Sequence, residues 1–236
     1  MYQMNKDNKK FHIILASKSE RRKDILTREG FDFEIYVPHA EEKDIIGERY
    51  SEELVNECAV AKARAAYEEL CGGSHSSPVR GGSHSSPVRE SSQDGTPIVG
   101  ASYTSANKGL TPTTIIVSCD TVVVNDGVII GKPKDRDDAK RILKSLSGSR
   151  HRVISALCIC KDNEYYTKTD TTYVKFRNIS DEEIEKYIDE RKPYDKAGSY
   201  GIQDEKFDFV EYIEGSMDNV VGFPIEIFKE MLAGLA

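Results

Sequence analysis

The chain has no tryptophan, only five cysteines and eight prolines among 236 residues, and no apolar run of membrane-spanning length. A spanning helix needs about 20 consecutive apolar residues, so no transmembrane segment is read. The cysteines, Cys58, Cys71, Cys119, Cys158 and Cys160, are odd in number and show neither CxxC nor metal-ligand spacing. This points away from a disulfide scaffold or zinc site, toward reduced and mostly buried thiols in a cytoplasmic protein. Positive charge is also short: 33 Lys and Arg against 40 Asp and Glu leave a net charge of −7. Such a chain lacks the basic surface that nucleic acid or an anionic membrane demands. The opening MYQMNKDNKKFHIILAS is charged and then only briefly apolar, so no secretory signal is read. Also missing are a Ser-His-Asp signature, HExxH, the P-loop GxxxxGK[ST], an EF-hand loop and GxGxxG.

What is present suits a globular protein, with 38% hydrophobic and 31% charged residues. One segment departs from that average. Residues 72–113 hold 7 of the 17 glycines, 4 of the 8 prolines and ten serines, with 8 apolar residues among 42. So little apolar surface does not offset the entropy of ordering. The nonapeptide GGSHSSPVR occurs twice in succession, at 72–80 and 81–89. Two nine-residue copies are too few for a solenoid, and the segment reads as a disordered insertion in a domain spanning 11–233.

Elsewhere short apolar runs alternate with helical patterns. Strands are expected over His12–Ala16, Phe31–Val37 and Thr114–Ser118, with a hairpin of Val122–Val124 and Val128–Ile130 turning at Asn125-Asp126-Gly127. Two longer strands, His151–Cys160 and Tyr165–Arg177, follow, and Phe207–Ile213 alternates again. Helices are expected over 20–29, Glu52–Leu70, Asp135–Leu146, from Ser180 through Ile188, and over Pro224–Leu232. Ser180 and Glu183 have the spacing of a capping box. The interleaving, with antiparallel hairpins among the elements, implies an α/β or α+β fold around a mixed sheet.

Four stretches carry chemistry. Ala16-Ser17-Lys18-Ser19-Glu20-Arg21-Arg22 joins a strand to a helix, where free amides, hydroxyls and two guanidinium groups suit an anion. The same residues serve equally as an N-cap and a solvated helix start. Ser118-Cys119-Asp120-Thr121 places a carboxylate at the end of an apolar strand, a common ligand crevice, or else simply a turn residue. Gly131-Lys132-Pro133 follows with a lysine in a constrained loop. The glycine-punctuated Lys196-Ala197-Gly198-Ser199-Tyr200-Gly201-Ile202-Gln203 reads as a loop of close approach. His39 and His151 read as structural. Cations at Arg21, Arg22, Lys62 and Lys132 beside carboxylates at Glu41, Glu42 and Asp120 suit Mg²⁺-dependent chemistry on a polyphosphate.

Together these blocks resemble the Maf-like nucleotide pyrophosphatases. LASKSERRKDIL is similar to that family's opening motif. Glu41-Glu42, Ala61-Lys62-Ala63, Cys119-Asp120-Thr121-Val122-Val123, Gly131-Lys132-Pro133, Leu146-Ser147-Gly148, Lys196–Gln203 and Asn219-Val220-Val221-Gly222-Phe223-Pro224 follow in the family's order. The resemblance implies an elongated mixed sheet, two lobes with a central cleft, and hydrolysis of a nucleoside triphosphate to the monophosphate and pyrophosphate with Mg²⁺ or Mn²⁺. It assigns phosphate binding to Ser17, Arg21, Arg22, Lys62 and Lys132. Asp120 becomes the proton acceptor, and Glu42 joins it at the metal. Arg22, Thr121 and Gln203 resemble the branch acting on dTTP and UTP and are assigned to base selection. The same chemistry on another base, such as methylated GTP, and a low-turnover nucleotide-binding regulator of cell division stand as alternatives. A homodimer is suggested by the resemblance alone. Two departures stand out: Glu20 occupies the position of a usual proline, and the insertion replaces a short connection.

Overall fold

A computed structural model describes residues 11–39, 45–72, 110–204 and 206–235. The expected repeat insertion, for residues 73–109, lies outside them, as does Glu42. The described chain runs β1 (His12–Leu15), α1 (Glu20–Arg28), β2 (Phe33–Ile35), α2 (Glu52–Cys71), β3 (Thr114–Asn125), β4 (Val128–Ile130), α3 (Arg136–Leu146), β5 (Arg150–Lys161), β6 (Glu164–Phe176), α4 (Asp181–Arg191), β7 (Val210–Glu214), α5 (Met217–Val221) and α6 (Ile225–Gly234). The seven strands form one mixed sheet in the order β2-β1-β3-β5-β6-β7, with β4 also paired to β3. Pairing is parallel between β1 and both β2 and β3, and antiparallel elsewhere.

The alternation of apolar residues sets the layers. In β1 and β3, Ile14, Ile116, Val122 and Val124 meet the small-residue face of α2, built from Val55, Ala59, Ala63 and Ala66. Ile13, Leu15, Ile115, Val117 and Cys119 point the other way, onto Ile25 and Leu26 of α1 and Phe228 and Leu232 of α6. A third core gathers Leu143, Leu146, Ile184, Tyr187, Phe176 and Phe209 around α3, α4 and the far ends of the strands. Leu110–Thr113, read from sequence as part of the insertion, is tied into the sheet. His12 N donates to Thr113 O at 3.0 Å, and Leu110 packs against the α2-side core.

One difference from the sequence reading bears directly on the site. The sequence breaks the strand near Ser118 and leaves Asp120 in a turn or at a strand end. In the structure β3 runs unbroken for 12 residues, with Asp120 opposite Ala156 of β5. The long partner β5 supplies ladder bonds along β3, and these hold a polar residue in extended form where local composition suggests a break. The expected helix start at Ser180 forms with both capping-box bonds present. Replacing Ser180 with Ala is expected to cost about 1 kcal/mol of unfolding free energy, read by urea titration. An unchanged midpoint would show that this cap contributes nothing to stability.

Candidate active site

The other edge of β3 is interrupted. Its parallel pairing with β1 ends at Leu15 opposite Val117, and pairing with β4 begins at Val123 opposite Ile130. Between them Ser118–Val122 meets no strand on that side among the described residues. A sheet opened in this way exposes both of its faces to one crevice. Successive side chains of a strand point to opposite faces, so Asp120 turns toward α2 and Thr121 toward α1.

On the α2 side, Ser118 donates its hydroxyl to the carbonyl of Ala59 at 2.6 Å, fixing helix against strand. Lys62 lies three residues along the helix and reaches Asp120 two residues along the strand. Its Nζ is 2.5 Å from Asp120 Oδ1, with side chains 19% and 17% exposed respectively. The pair is therefore mostly desolvated yet still open to the cleft.

On the α1 side, Arg22 is held at three points. Its Nε donates to the carbonyl of Gly222 at 2.9 Å, one terminal nitrogen to Ser17 Oγ at 3.2 Å and the other to Thr121 Oγ1 at 3.4 Å. Thr121 in turn shares a hydrogen bond with Ser155 at 2.9 Å. Gly222 closes α5 with φ of +118°, a backbone conformation that glycine adopts without strain, and there its carbonyl meets the guanidinium. Ser19 is the N-cap of α1 but makes no side-chain cap bond, so the amides of the first turn are not capped by it. Glu20, the departure from the usual proline, is paired with Lys23 at 2.6 Å, which offsets its negative charge near the expected phosphate site.

These two clusters border a cleft of about 1040 Å³. Ser17, Arg21, Arg22, Lys62, Asp120, Thr121, Lys132 and Gln203 all line it. The other site residues singled out in the sequence face this one space, while Glu41 and Glu42 lie outside the described residues. Lys18 and Lys196 add further cations, and Val37, Pro38, Ile45 and Ile46 contribute an apolar wall. In a chain of net charge −7, this gathering of ammonium and guanidinium groups is a local reversal suited to an anion.

Sequence reasoning missed Asp195, Asp204 and Ser155. Asp195 accepts from Lys196 at 2.8 Å and lies 3.4 Å from Arg21. Partial burial opposes its ionisation, but the Lys196 ammonium and Arg21 guanidinium hold its carboxyl below the usual carboxylate range. Asp195 and Asp204 directly flank the glycine-punctuated run, so reading two residues further would have included both. Ser155 carries no signal, since a serine in an apolar strand is unremarkable until its partner is known. Neither histidine lines this cleft. His39 is exposed beside Glu69, and His151 is buried against Tyr200 with its Nε2 2.8 Å from the phenol oxygen.

Among the described residues no three His, Cys, Asp or Glu side chains converge as a ready-made metal cage. Asp120 is a hard oxygen donor at the cleft, of the kind that suits Mg²⁺ or Mn²⁺ sharing the rest of its shell with phosphate and water. No described helix is long and apolar enough to cross a membrane.

A family model described as Maf-like protein matches residues 12–235. The dTTP/UTP pyrophosphatase of Bdellovibrio bacteriovorus is 34% identical over 223 residues, covering 94% of this chain and 97% of that protein. The dTTP/UTP pyrophosphatase of Thermococcus gammatolerans is 37% identical over 219 residues, covering 93% and 94%.

Proposed function

The chain belongs to the family of Maf-like proteins, and on that premise we propose that its cleft hydrolyses dTTP and UTP to the monophosphate and pyrophosphate. The observation that carries the reading is the Lys62–Asp120 pair in the gap of the sheet, facing Ser17, Arg21 and Lys132 across one cleft. The substrate is a pyrimidine nucleoside triphosphate whose chain of phosphates lies along the cations. Asp120 takes a proton from the attacking water, whose oxygen bonds to the α-phosphorus. The bond to the oxygen bridging the α and β phosphorus atoms breaks, and pyrophosphate leaves with the electron pair. Lys62 holds the Asp120 carboxylate in register with the attacking water, and a positioned base of this kind contributes about 10²–10⁴-fold. Arg21 and Lys132 offset charge gathering on the departing pyrophosphate.

Asp120 and Glu42 are the residues proposed to hold a divalent cation, which would supply charge neutralisation on the phosphate oxygens. Base selection falls to Arg22, Thr121 and Gln203. Thr121 lies on the opposite face of β3 from Asp120, so the arrangement separates base recognition from chemistry.

A panel of triphosphates assayed for pyrophosphate release, with and without EDTA, tests the reading. Release from dTTP and UTP, lost on chelation and restored by Mg²⁺ or Mn²⁺, is the expected result. Faster release from a purine triphosphate would reassign the substrate. Nucleotide binding by calorimetry with no product would overturn the enzyme.

A further inference from the structure

Gln203 is exposed at the tip of a four-residue turn, Gly201-Ile202-Gln203-Asp204, all of which lines the cleft. The turn is closed by Asp204 N donating to the carbonyl of Gly201 at 3.0 Å. Both of its ends are also tied to one atom. The Tyr187 hydroxyl accepts from Gly201 N at 2.9 Å and donates to Asp204 Oδ2 at 2.6 Å. Tyr187 itself is 1% exposed and belongs to α4, behind the cleft. Its ring is braced edge-on by Phe207 and Phe209, each at a centroid distance of 5.0 Å. Arg191, one helical turn further along α4, steadies the other carboxylate oxygen of Asp204 at 3.6 Å. A Cβ at 201 would stand 2.8 Å from Asp204 Oδ2 and 3.1 Å from Lys196 Cε, so a side chain there would push on the carboxylate that Tyr187 holds.

We propose that Tyr187 is a positioning residue for base selection: one buried hydroxyl pins both ends of the turn carrying Gln203 and so fixes where that amide meets the pyrimidine. The proposal rests on the pyrophosphatase reading. Thymine and uracil share an edge that presents a carbonyl next to an N–H, and a glutamine amide carries the complementary donor and acceptor. Such recognition discriminates only if the amide is held within a fraction of an ångström. An exposed side chain on a short loop does not hold itself there. A phenol locked between two rings on a helix does.

The test measures kcat and KM for dTTP and UTP by pyrophosphate release in the wild type, Tyr187→Phe, Gln203→Ala and the double variant. Tyr187→Phe keeps the ring and loses only the hydroxyl. Its KM is expected to rise about tenfold with kcat within about threefold, a loss on the scale of one substrate contact. Gln203→Ala is expected to behave alike, and the double variant to be little worse than either, because both changes remove the same contact. An unchanged KM in either single variant, or losses that multiply independently, would overturn the proposal. Should Tyr187→Phe fail to fold, Asp204→Ala releases the Asp204 end of the tether from the surface, and wild-type KM in that variant overturns the proposal equally. A wild type that releases no pyrophosphate would instead defeat the functional reading, and the inference with it.

Discussion

Asp120→Asn is expected to lower kcat for pyrophosphate release by about 10²–10⁴-fold while leaving the fold intact. Asn has nearly the same volume, and Asp120 sits in the middle of β3 with its backbone paired to β5, so the ladder keeps its geometry. The amide oxygen still accepts from Lys62, which limits the cost of removing the charge next to a mostly buried ammonium. What the amide lacks is the ability to take a proton from water. Circular dichroism and a melting curve should match the wild type to within a few degrees, while the pyrophosphate assay separates the two. Equal turnover would remove Asp120 from the role of base and shift attention to Glu42.

The second large effect is on stability in acid and comes from His151. This imidazole is 1% exposed, its Nδ1 has no hydrogen-bond partner among the described residues, and burial pushes its pKa down to about 4. In the unfolded chain the same group titrates near 6.5, so between those values the unfolded state binds the extra proton. Stability is therefore full above about pH 6.5 and falls as the pH drops toward 4, by about 3 kcal/mol for this one group. Glu183, held down to about 2 by Arg177 and the amide of Ser180, contributes its own loss only below the usual glutamate range. Other carboxylates held down by cationic partners, Glu29, Glu185 and Glu190 among them, begin to take protons in the unfolded chain near pH 5, so the window from about pH 6.5 to 5.5 is the one the histidine dominates. Urea unfolding across that window should show a steep slope in the wild type and a flatter one in His151→Gln, whatever the variant's absolute stability. Parallel slopes would assign the acid sensitivity elsewhere.

Much of the fold was legible because its strands and helices carry their own period. The capping box at Ser180 and the turn at Asp126-Gly127 are local patterns, and each formed where the sequence put it. The short α5 (Met217–Val221) was not legible, since five residues are too few to display a helical period. The continuity of β3 was hidden for a different reason. Ser118, Asp120 and Thr121 look like turn residues, and only pairing along the length of β5 makes them strand.

The sequence by itself determined which residue types were available: arginines after a strand, a lysine on a small-residue helix, a carboxylate in an apolar run. Periodicity is a local property, so it fixed elements and their faces without any knowledge of neighbours. Tertiary structure alone decided that β1 stops at Leu15 while β3 continues, opening the sheet beside Asp120 and Thr121. Where a partner strand ends depends on chain distant in sequence. That ending lets two adjacent residues on opposite faces serve one cleft, Asp120 beside Lys62 and Thr121 beside Arg22.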